Sequence, residues 1–145
     1  MSEGHILFVD DRPQNAALFS RVLKIHGITN EVIPAGDGIE ALEYLFGTGQ
    51  HAGRGTRMPR LIILDMRMPR MGGLETLRRI RADRRTEIVP VVVFSSSDDP
   101  QDMLEAYRLG ANSYVDKVSL NLPYPEIAGM IARYWLLVNE PPPGT

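Results

Sequence analysis

The chain has 145 residues, of which 43% are apolar and 23% are charged, a composition typical of one globular domain. Its 16 Lys and Arg residues against 18 Asp and Glu residues give a net charge of -2, which excludes a nucleic-acid clamp built on overall basic charge. The absence of cysteine excludes disulfides, thiol catalysis and cysteine-held metals. The first residues lack a secretory signal and no apolar run approaches the roughly 20 residues that cross a bilayer, so we expect a cytoplasmic protein without membrane contact.

Short apolar runs alternate with helical patterns along the chain. The runs predict strands at Ile6–Val9, Glu31–Pro34, Leu61–Leu64, Val89–Phe94 and Ser113–Val115. The first is a continuous apolar run typical of a strand buried on both faces, and the second is weaker. Helices are predicted after Pro13, after Asp37, after Gly73, after Asp99 and in the stretch that ends at Val138. An exposed loop rich in Gly and Arg is expected at 47–60, and a Pro-rich tail at 139–145. This alternation predicts an α/β fold, a doubly wound five-stranded parallel sheet with helices on both faces. We expect one domain over 1–138 and no effector domain.

The last helical pattern carries more apolar side chains than one sheet face needs. Its predicted buried stripe consists of Ile127, Met130, Ile131, Tyr134 and Val138. Trp135 and Leu136 would then point elsewhere. Because exposed aromatic patches mark association sites, we expect a homodimer formed through this helix and the tail.

The residues that directly follow the predicted strands carry the chemistry. They are Asp10 and Asp11 after the first strand, Asp65 after the third, Ser95 after the fourth, and Asp116 and Lys117 after the fifth. The carboxyl ends of parallel strands meet at one sheet edge, where such folds bind ligands. Clustered carboxylates repel and need a counter-charge, and oxygen ligands without cysteine favour Mg²⁺ or Mn²⁺. A carboxylate beside such a metal can act as the nucleophile in phosphoryl transfer.

Four segments resemble the motifs of receiver domains of two-component response regulators: Phe8 to Asp11, Leu61 to Gly73, Val93 to Ser95, and Gly110 to Lys117. The resemblance implies a flavodoxin-like fold with strand order 2-1-3-4-5. It also implies a phosphorelay function, in which a sensor histidine kinase is the partner and output passes through protein–protein contacts. The loop at 47–60 and the ending Tyr134 to Asn139 look closest to single-domain regulators that partner bacterial phytochrome histidine kinases.

The resemblance also implies roles at the site. Asp65 is expected to be the phosphoacceptor and, with Asp11, to bind Mg²⁺ directly. Asp10 is expected to act through metal-bound water, and the backbone carbonyl of Arg67 to complete the metal site. The domain would catalyse its own phosphorylation and dephosphorylation without being a turnover enzyme.

Lys117 and Ser95 are expected to contact the phosphoryl oxygens, and Ser95 and Tyr114 to form the family's switch pair. The sequence departs from the family at Val118, where proline with a cis bond is usual. A cis bond before valine costs ~2.5–4 kcal/mol, so we expect a trans bond and a shifted loop. A second departure is Arg67, a cation long enough to screen the phosphoryl group from water and set its lifetime.

Two alternatives remain open at this point. A phosphohydrolase of haloacid-dehalogenase type also uses a strand-end Asp, but it wants a second Asp where Arg67 stands. A receiver-like binding module would never be phosphorylated.

Ten of the 16 basic residues lie between Arg54 and Arg85. We interpret this stretch as a solvated face that helps to steer docking to an acidic kinase, and expect no nucleic-acid binding because no aromatic residue interleaves with the arginines.

Overall fold

The structure, a computed structural model, describes residues 4–55 and 57–143. Five strands are present: β1 (Ile6–Val9), β2 (Val32–Ala35), β3 (Leu61–Leu64), β4 (Val91–Ser95) and β5 (Ser113–Asp116). Five helices connect or follow them: α1 (Pro13–Ile25), α2 (Gly38–Phe46), α3 (Gly73–Ala82), α4 (Pro100–Arg108) and α5 (Tyr124–Arg133). A 3₁₀ turn at Gly49–His51 interrupts the expected loop, and a π-helical segment, Tyr134–Val138, continues α5. Thr56 of the expected loop and the last two residues of the expected tail lie outside the described residues.

The sheet is parallel throughout, with strand order β2-β1-β3-β4-β5. Strand β1 lies between β2 and β3 and pairs with both in step, so that Ile6 lies opposite Val32 on one side and Leu61 on the other. The predicted fold class and strand order are confirmed. Several boundaries differ by one or two residues. β2 is shifted by one residue to Val32–Ala35, and β4 and β5 each end one residue later than predicted. β4 begins after Pro90 and not at Val89, because proline has no N–H to give to the ladder.

The core lies in two layers, one on each face of the sheet. Side chains alternate along a strand, so Ile6 and Phe8 pack against α1 and α5, whereas Leu7 and Val9 pack against the helices of the other face. This two-sided burial is the reason that β1, β3 and the Val91–Phe94 part of β4 are continuous apolar runs without a polar face.

The start of α2 carries a capping box in modified form, formed by Asp37 and Glu40. The side chain of Asp37 accepts a hydrogen bond from the backbone N–H of Glu40 at 2.8 Å. The Glu40 carboxylate reaches back to the N–H of Gly36, one residue before the cap, at 2.9 Å. Gly47 ends the helix with φ of 67°, the left-handed conformation that glycine adopts without strain.

The prediction for the buried face of the last helix is wrong in part. Ile127 and Ile131 are buried, as predicted, but Met130 in α5 is 42% exposed. Tyr134 and Val138 are exposed, Val138 to 67%, whereas Leu136 is 1% exposed and Trp135 packs against the core. The physical reason is the π-helical segment over Tyr134–Val138, whose wider turns shift which residues face the sheet. The helical structure nevertheless ends at Val138, as expected, and the carbonyl of Asn139 accepts a hydrogen bond from Arg60 at 3.3 Å.

Among the residues that the structure describes, no helix is both long enough and apolar enough to span a bilayer.

Candidate functional site

An open cleft of about 410 Å³ lies at the carboxyl ends of the strands. Its lining residues come from five separate parts of the chain: Asp10, Asp11, Arg12, Asn15, Asp65, Arg67, Ser96, Lys117 and Tyr124. The sheet brings them together because parallel strands end at the same edge. The structure therefore brings the predicted strand-end residues Asp10, Asp11, Asp65 and Lys117 together at this edge.

Three carboxylates form the centre of the cleft. Each of Asp10, Asp11 and Asp65 offers an oxygen, and these oxygens lie within 4.8 Å of one another. Asp10 is buried, Asp65 is half-buried and Asp11 is exposed. Burial raises the pKa of Asp65 and the charge of Asp10 raises it further, while Lys117 and a hydrogen bond with Ser95 oppose the rise. The charged form of Asp65 is thus held at a net cost.

Asp10 is held in place by three donors. Its Oδ1 accepts from the backbone N–H of Arg12 at 2.9 Å, and its Oδ2 accepts from Nδ2 of Asn15 at 3.0 Å. Nζ of Lys117 lies 3.4 Å from the same Oδ2. These contacts fix one wall of the carboxylate cluster and leave Asp11 and Asp65 facing the open cleft.

Lys117 reaches the cluster although Val118 follows it. The described chain contains no cis peptide bond, so the Lys117–Val118 bond is trans, as expected. Asp116 turns away from the carboxylates and organises the following loop, where it accepts hydrogen bonds from the N–H groups of Val118 and Ser119. The hydrogen bond from the Ser119 hydroxyl lowers the pKa of Asp116. Nζ of Lys117 also lies 5.0 Å from the centre of the Phe94 ring, a cation–π contact that helps to position the side chain.

The oxygen set fits a hard divalent cation. Three carboxylate oxygens within bonding reach of a common point, in a cleft open to solvent, are the donor type that Mg²⁺ and Mn²⁺ prefer. Arg67 lines the same cleft. Coordination of a metal ion by its backbone carbonyl stays a prediction.

The expected switch residues occupy neighbouring positions. Ser95 is the buried last residue of β4. Tyr114 is half-buried in β5, and its hydroxyl donates to the backbone carbonyl of Ser97 at 2.8 Å. Burial raises the pKa of this phenol, although the bond to Ser97 lowers it. The Tyr114 ring therefore lies against the loop that follows Ser95, and movement of the pair stays a prediction.

The side chain of Arg67 contacts α4. Its Nη2 donates to Oδ2 of Asp102 at 2.7 Å. The same Oδ2 accepts a hydrogen bond from the hydroxyl of Ser97 at 2.9 Å. Asp102 was not among the residues singled out from the sequence, because it stands 35 positions from Arg67 and no local pattern connects them.

Four lining residues were also missed, namely Arg12, Asn15, Ser96 and Tyr124. Asn15 lies one turn into α1, where its amide meets Asp10. Tyr124 begins α5, and its hydroxyl donates to the backbone carbonyl of Asn15 at 3.3 Å. Burial raises the pKa of Tyr124 strongly. The signal that could have found Asn15 is its spacing of five residues from Asp10. Because α1 begins at Pro13, this spacing keeps the Asn15 side chain in the first helical turn, close to the end of β1.

Five of the ten arginines of the basic stretch form ion pairs with acidic side chains in the described structure. The ion pairs are Arg67 with Asp102, Arg70 with Asp37, Arg78 and Arg79 with Glu75, and Arg85 with Asp83. These pairs reduce the positive charge that this face offers to another molecule.

Comparison with known proteins agrees with the geometry. Residues 6–121 match the model of the response regulator receiver domain. The chain is 34% identical over 137 residues to the probable methanogenesis regulatory protein FilR2 of Methanothrix harundinacea, covering 94% of this chain and 86% of that protein. It is 33% identical over 133 residues to the response regulator Rcp1 of Synechocystis, covering 90% and 88%.

Solved structures give the same result. The structure of the phosphorylated cyanobacterial phytochrome response regulator RcpA is similar with a TM-score of 0.87 and 31% identity, over 97% of this chain and 99% of that one. The Mn²⁺-bound form of Rcp1 is similar with a TM-score of 0.85 and 29% identity, over 96% and 99%. With its sheet order, its strand-end carboxylates and these matches, the chain belongs to the response regulator receiver family.

Proposed function

We propose that Asp65 accepts a phosphoryl group from the phosphohistidine of a histidine kinase. The observation that carries this proposal is the convergence of Asp65 with two further carboxylates, Lys117 and the Ser95 hydroxyl at one end of the sheet. A carboxylate oxygen of Asp65 forms a bond to phosphorus while the bond from phosphorus to the histidine nitrogen breaks, and the electron pair of that bond stays on the histidine.

The residues around Asp65 suit this reaction. The backbone N–H of Met66 donates to Oδ1 of Asp65 at 2.8 Å, which leaves the other oxygen as the nucleophile. Lys117 supplies a positive charge for a phosphoryl oxygen, and Ser95 supplies a hydroxyl donor. Self-catalysed phosphorylation and hydrolysis of this kind need no outside substrate beyond the phosphodonor and water.

Asp11 and Asp65 would hold a divalent cation, with Asp10 acting through water. A Mg²⁺ or Mn²⁺ ion bound there neutralises the clustered carboxylates and the phosphoryl oxygens. Asn15 and Lys117 keep Asp10 oriented toward that position.

The partner and setting follow from the relatives. We propose a sensor histidine kinase of the bacterial phytochrome type, because RcpA is described as a phytochrome response regulator and is similar over nearly the whole chain. We also propose that the chain acts as a single-domain regulator, since it covers most of the length of FilR2 and Rcp1. The proposed cytoplasmic setting rests on the proposed histidine kinase partner, which would have to meet Asp65 there. Output then passes through protein–protein contacts and not through nucleic acid or membrane.

Incubation with acetyl phosphate and Mg²⁺, followed by mobility-shift electrophoresis and intact mass measurement, tests the proposal. We expect one added phosphoryl group on the wild type, none without the metal, and none on Asp65→Asn. The control Asp98→Asn makes the same change on an exposed carboxyl outside the cleft and should be modified normally. Turnover of small phosphate esters would instead indicate a phosphohydrolase, and absence of modification a binding module without phosphorylation.

We further propose a homodimer through the last helix. Met130, Tyr134, Leu137 and Val138 are all exposed on its outer side, where Arg133 is the charged neighbour. A second copy is the occupant that fits, because an apolar stripe without opposite charges pairs with itself about a two-fold axis. Sedimentation at micromolar concentration should show a dimer that Leu137→Glu converts to a monomer. A monomeric wild type would contradict the proposal.

A further inference from the structure

The contact between Arg67 and Asp102 joins the phosphorylation cleft to α4. Arg67 follows Asp65 by two residues and lines the cleft, while its guanidinium reaches across to Asp102 in the first turn of α4. The Arg67 side chain is 71% exposed, whereas the Asp102 side chain is 16% exposed. The pair therefore has a mobile cationic end at the cleft and a fixed anionic end on the helix.

Asp102 is fixed by more than Arg67. The same carboxylate oxygen that binds Arg67 accepts a hydrogen bond from the Ser97 hydroxyl at 2.9 Å. The backbone carbonyl of Ser97 in turn accepts from the Tyr114 hydroxyl at 2.8 Å. Loss of Arg67 from this network would leave Asp102 with Ser97 as a partner and would release the loop after β3 from α4.

We propose that Asp102 is a positioning residue that holds Arg67 away from the acceptor, and that Arg67 leaves Asp102 for the phosphoryl oxygens once Asp65 is phosphorylated. This inference rests on the proposed phosphorylation of Asp65. A phosphoryl group carries up to twice the charge of a carboxylate and offers three oxygens to a guanidinium fork. Because Arg67 already lines the cleft on a long, exposed side chain, the exchange needs rotation of that side chain and no movement of the sheet.

The exchange has two consequences. Arg67 shields the phosphoryl group from water, so its contact lengthens the lifetime of the aspartyl phosphate. Asp102 competes for the same guanidinium, so it shortens that lifetime. At the same time α4 loses its ion pair with the loop after β3, which connects the charge on Asp65 to the helix face.

The test measures the lifetime of the phosphorylated protein after removal of acetyl phosphate, in four proteins: wild type, Arg67→Gln, Asp102→Asn and the double variant. We expect Arg67→Gln to shorten the lifetime and Asp102→Asn to lengthen it, each by roughly three-fold or more. The double variant should match Arg67→Gln alone, and Asp102→Glu should restore the wild-type lifetime. Arg78→Gln, which breaks an exposed ion pair away from the cleft, is the matched control and should change nothing.

A second readout does not depend on hydrolysis. The side-chain Nε–H resonance of Arg67, followed by NMR, should shift when beryllium fluoride and Mg²⁺ are added to the wild type. In Asp102→Asn the same resonance should reach its shifted position at a lower beryllium fluoride concentration than in the wild type.

Two results would overturn the inference while leaving the proposed function intact. One is normal phosphorylation of Asp65 with lifetimes that do not respond to Asp102→Asn. The other is an equal lengthening by Asp102→Asn in the presence and absence of Arg67, since the effect would then be a through-space charge effect. Modification of Asp65→Asn to the wild-type extent would overturn both proposals.

Discussion

Replacing Asp65 by asparagine should stabilise the metal-free protein, because it removes one charge from a crowded anionic cluster. At the 4.8 Å limit within which the cluster oxygens lie, two unit charges repel by about 3.5 kcal/mol at an effective dielectric near 20. The positive charge of Lys117 and solvent around the exposed Asp11 offset much of this repulsion. We therefore expect a net gain of about 1–3 kcal/mol for Asp65→Asn, or roughly 3–10 °C in Tm.

The gain should depend on pH with a defined sign. Burial and Asp10 raise the pKa of Asp65 in the folded protein, so the folded state binds a proton more tightly than the unfolded state does. Wild-type stability should fall as pH rises from the ordinary pKa of aspartate through the raised folded pKa, and stay reduced above it. Asp65→Asn should lack this component.

Urea denaturation in EDTA between pH 4 and pH 8 measures the effect, with Asp98→Asn as the control for removal of an exposed carboxylate. Added Mg²⁺ should stabilise the wild type and stabilise Asp65→Asn less, because the variant has lost a ligand. A variant that is less stable than the wild type at neutral pH, or a difference that does not grow with pH, would refute the reasoning.

Three further predictions concern the fold and are measured by urea denaturation. In the Leu137→Glu background, which should be monomeric, Leu136→Ala should cost about 2–5 kcal/mol by opening a cavity, whereas Val138→Ala should change stability by about 0.5 kcal/mol or less; equal effects would contradict the π-helical phase. Gly38→Ala should cost about 1–3 kcal/mol, because its new Cβ would overlap the Thr76 hydroxyl, and a neutral effect would mean that α2 and α3 are less closely packed. Asp37→Ala should cost about 0.5–2 kcal/mol as a lost helix cap. Burial raises the pKa of Asp37, but hydrogen bonds from an arginine and from the helix backbone outweigh it and hold the pKa low, so the loss should be full above the ordinary pKa and should shrink as pH falls through the folded one.

The strand-end residues of the site could be predicted from the sequence because two simple regularities fix them. Continuous apolar runs identify parallel strands, and parallel strands end at one edge, so Asp10, Asp11 and Asp65 had to lie together. The trans bond before Val118 followed equally directly from the energy of peptide isomers.

The remaining features depend on contacts that no local pattern encodes. The helical period predicted Tyr134 and Val138 in the core, but a π-helical segment changes the period within one helix. The pairing of Arg67 with Asp102 joins the loop after β3 to the first turn of α4 through the tertiary fold alone. Both features depend on tertiary packing, which brings side chains that are distant in sequence into contact.

The central claim is that the Asp65 carboxylate carries the phosphoryl group in this cleft. A crystal structure of the protein with Mg²⁺ and beryllium fluoride, a stand-in for the phosphoryl group, tests it most directly. The account predicts beryllium bonded to a carboxylate oxygen of Asp65, with the Lys117 ammonium and the Ser95 hydroxyl donating to its fluoride atoms. An empty cleft under saturating conditions, or the group bonded to Asp10 or Asp11, would contradict the account.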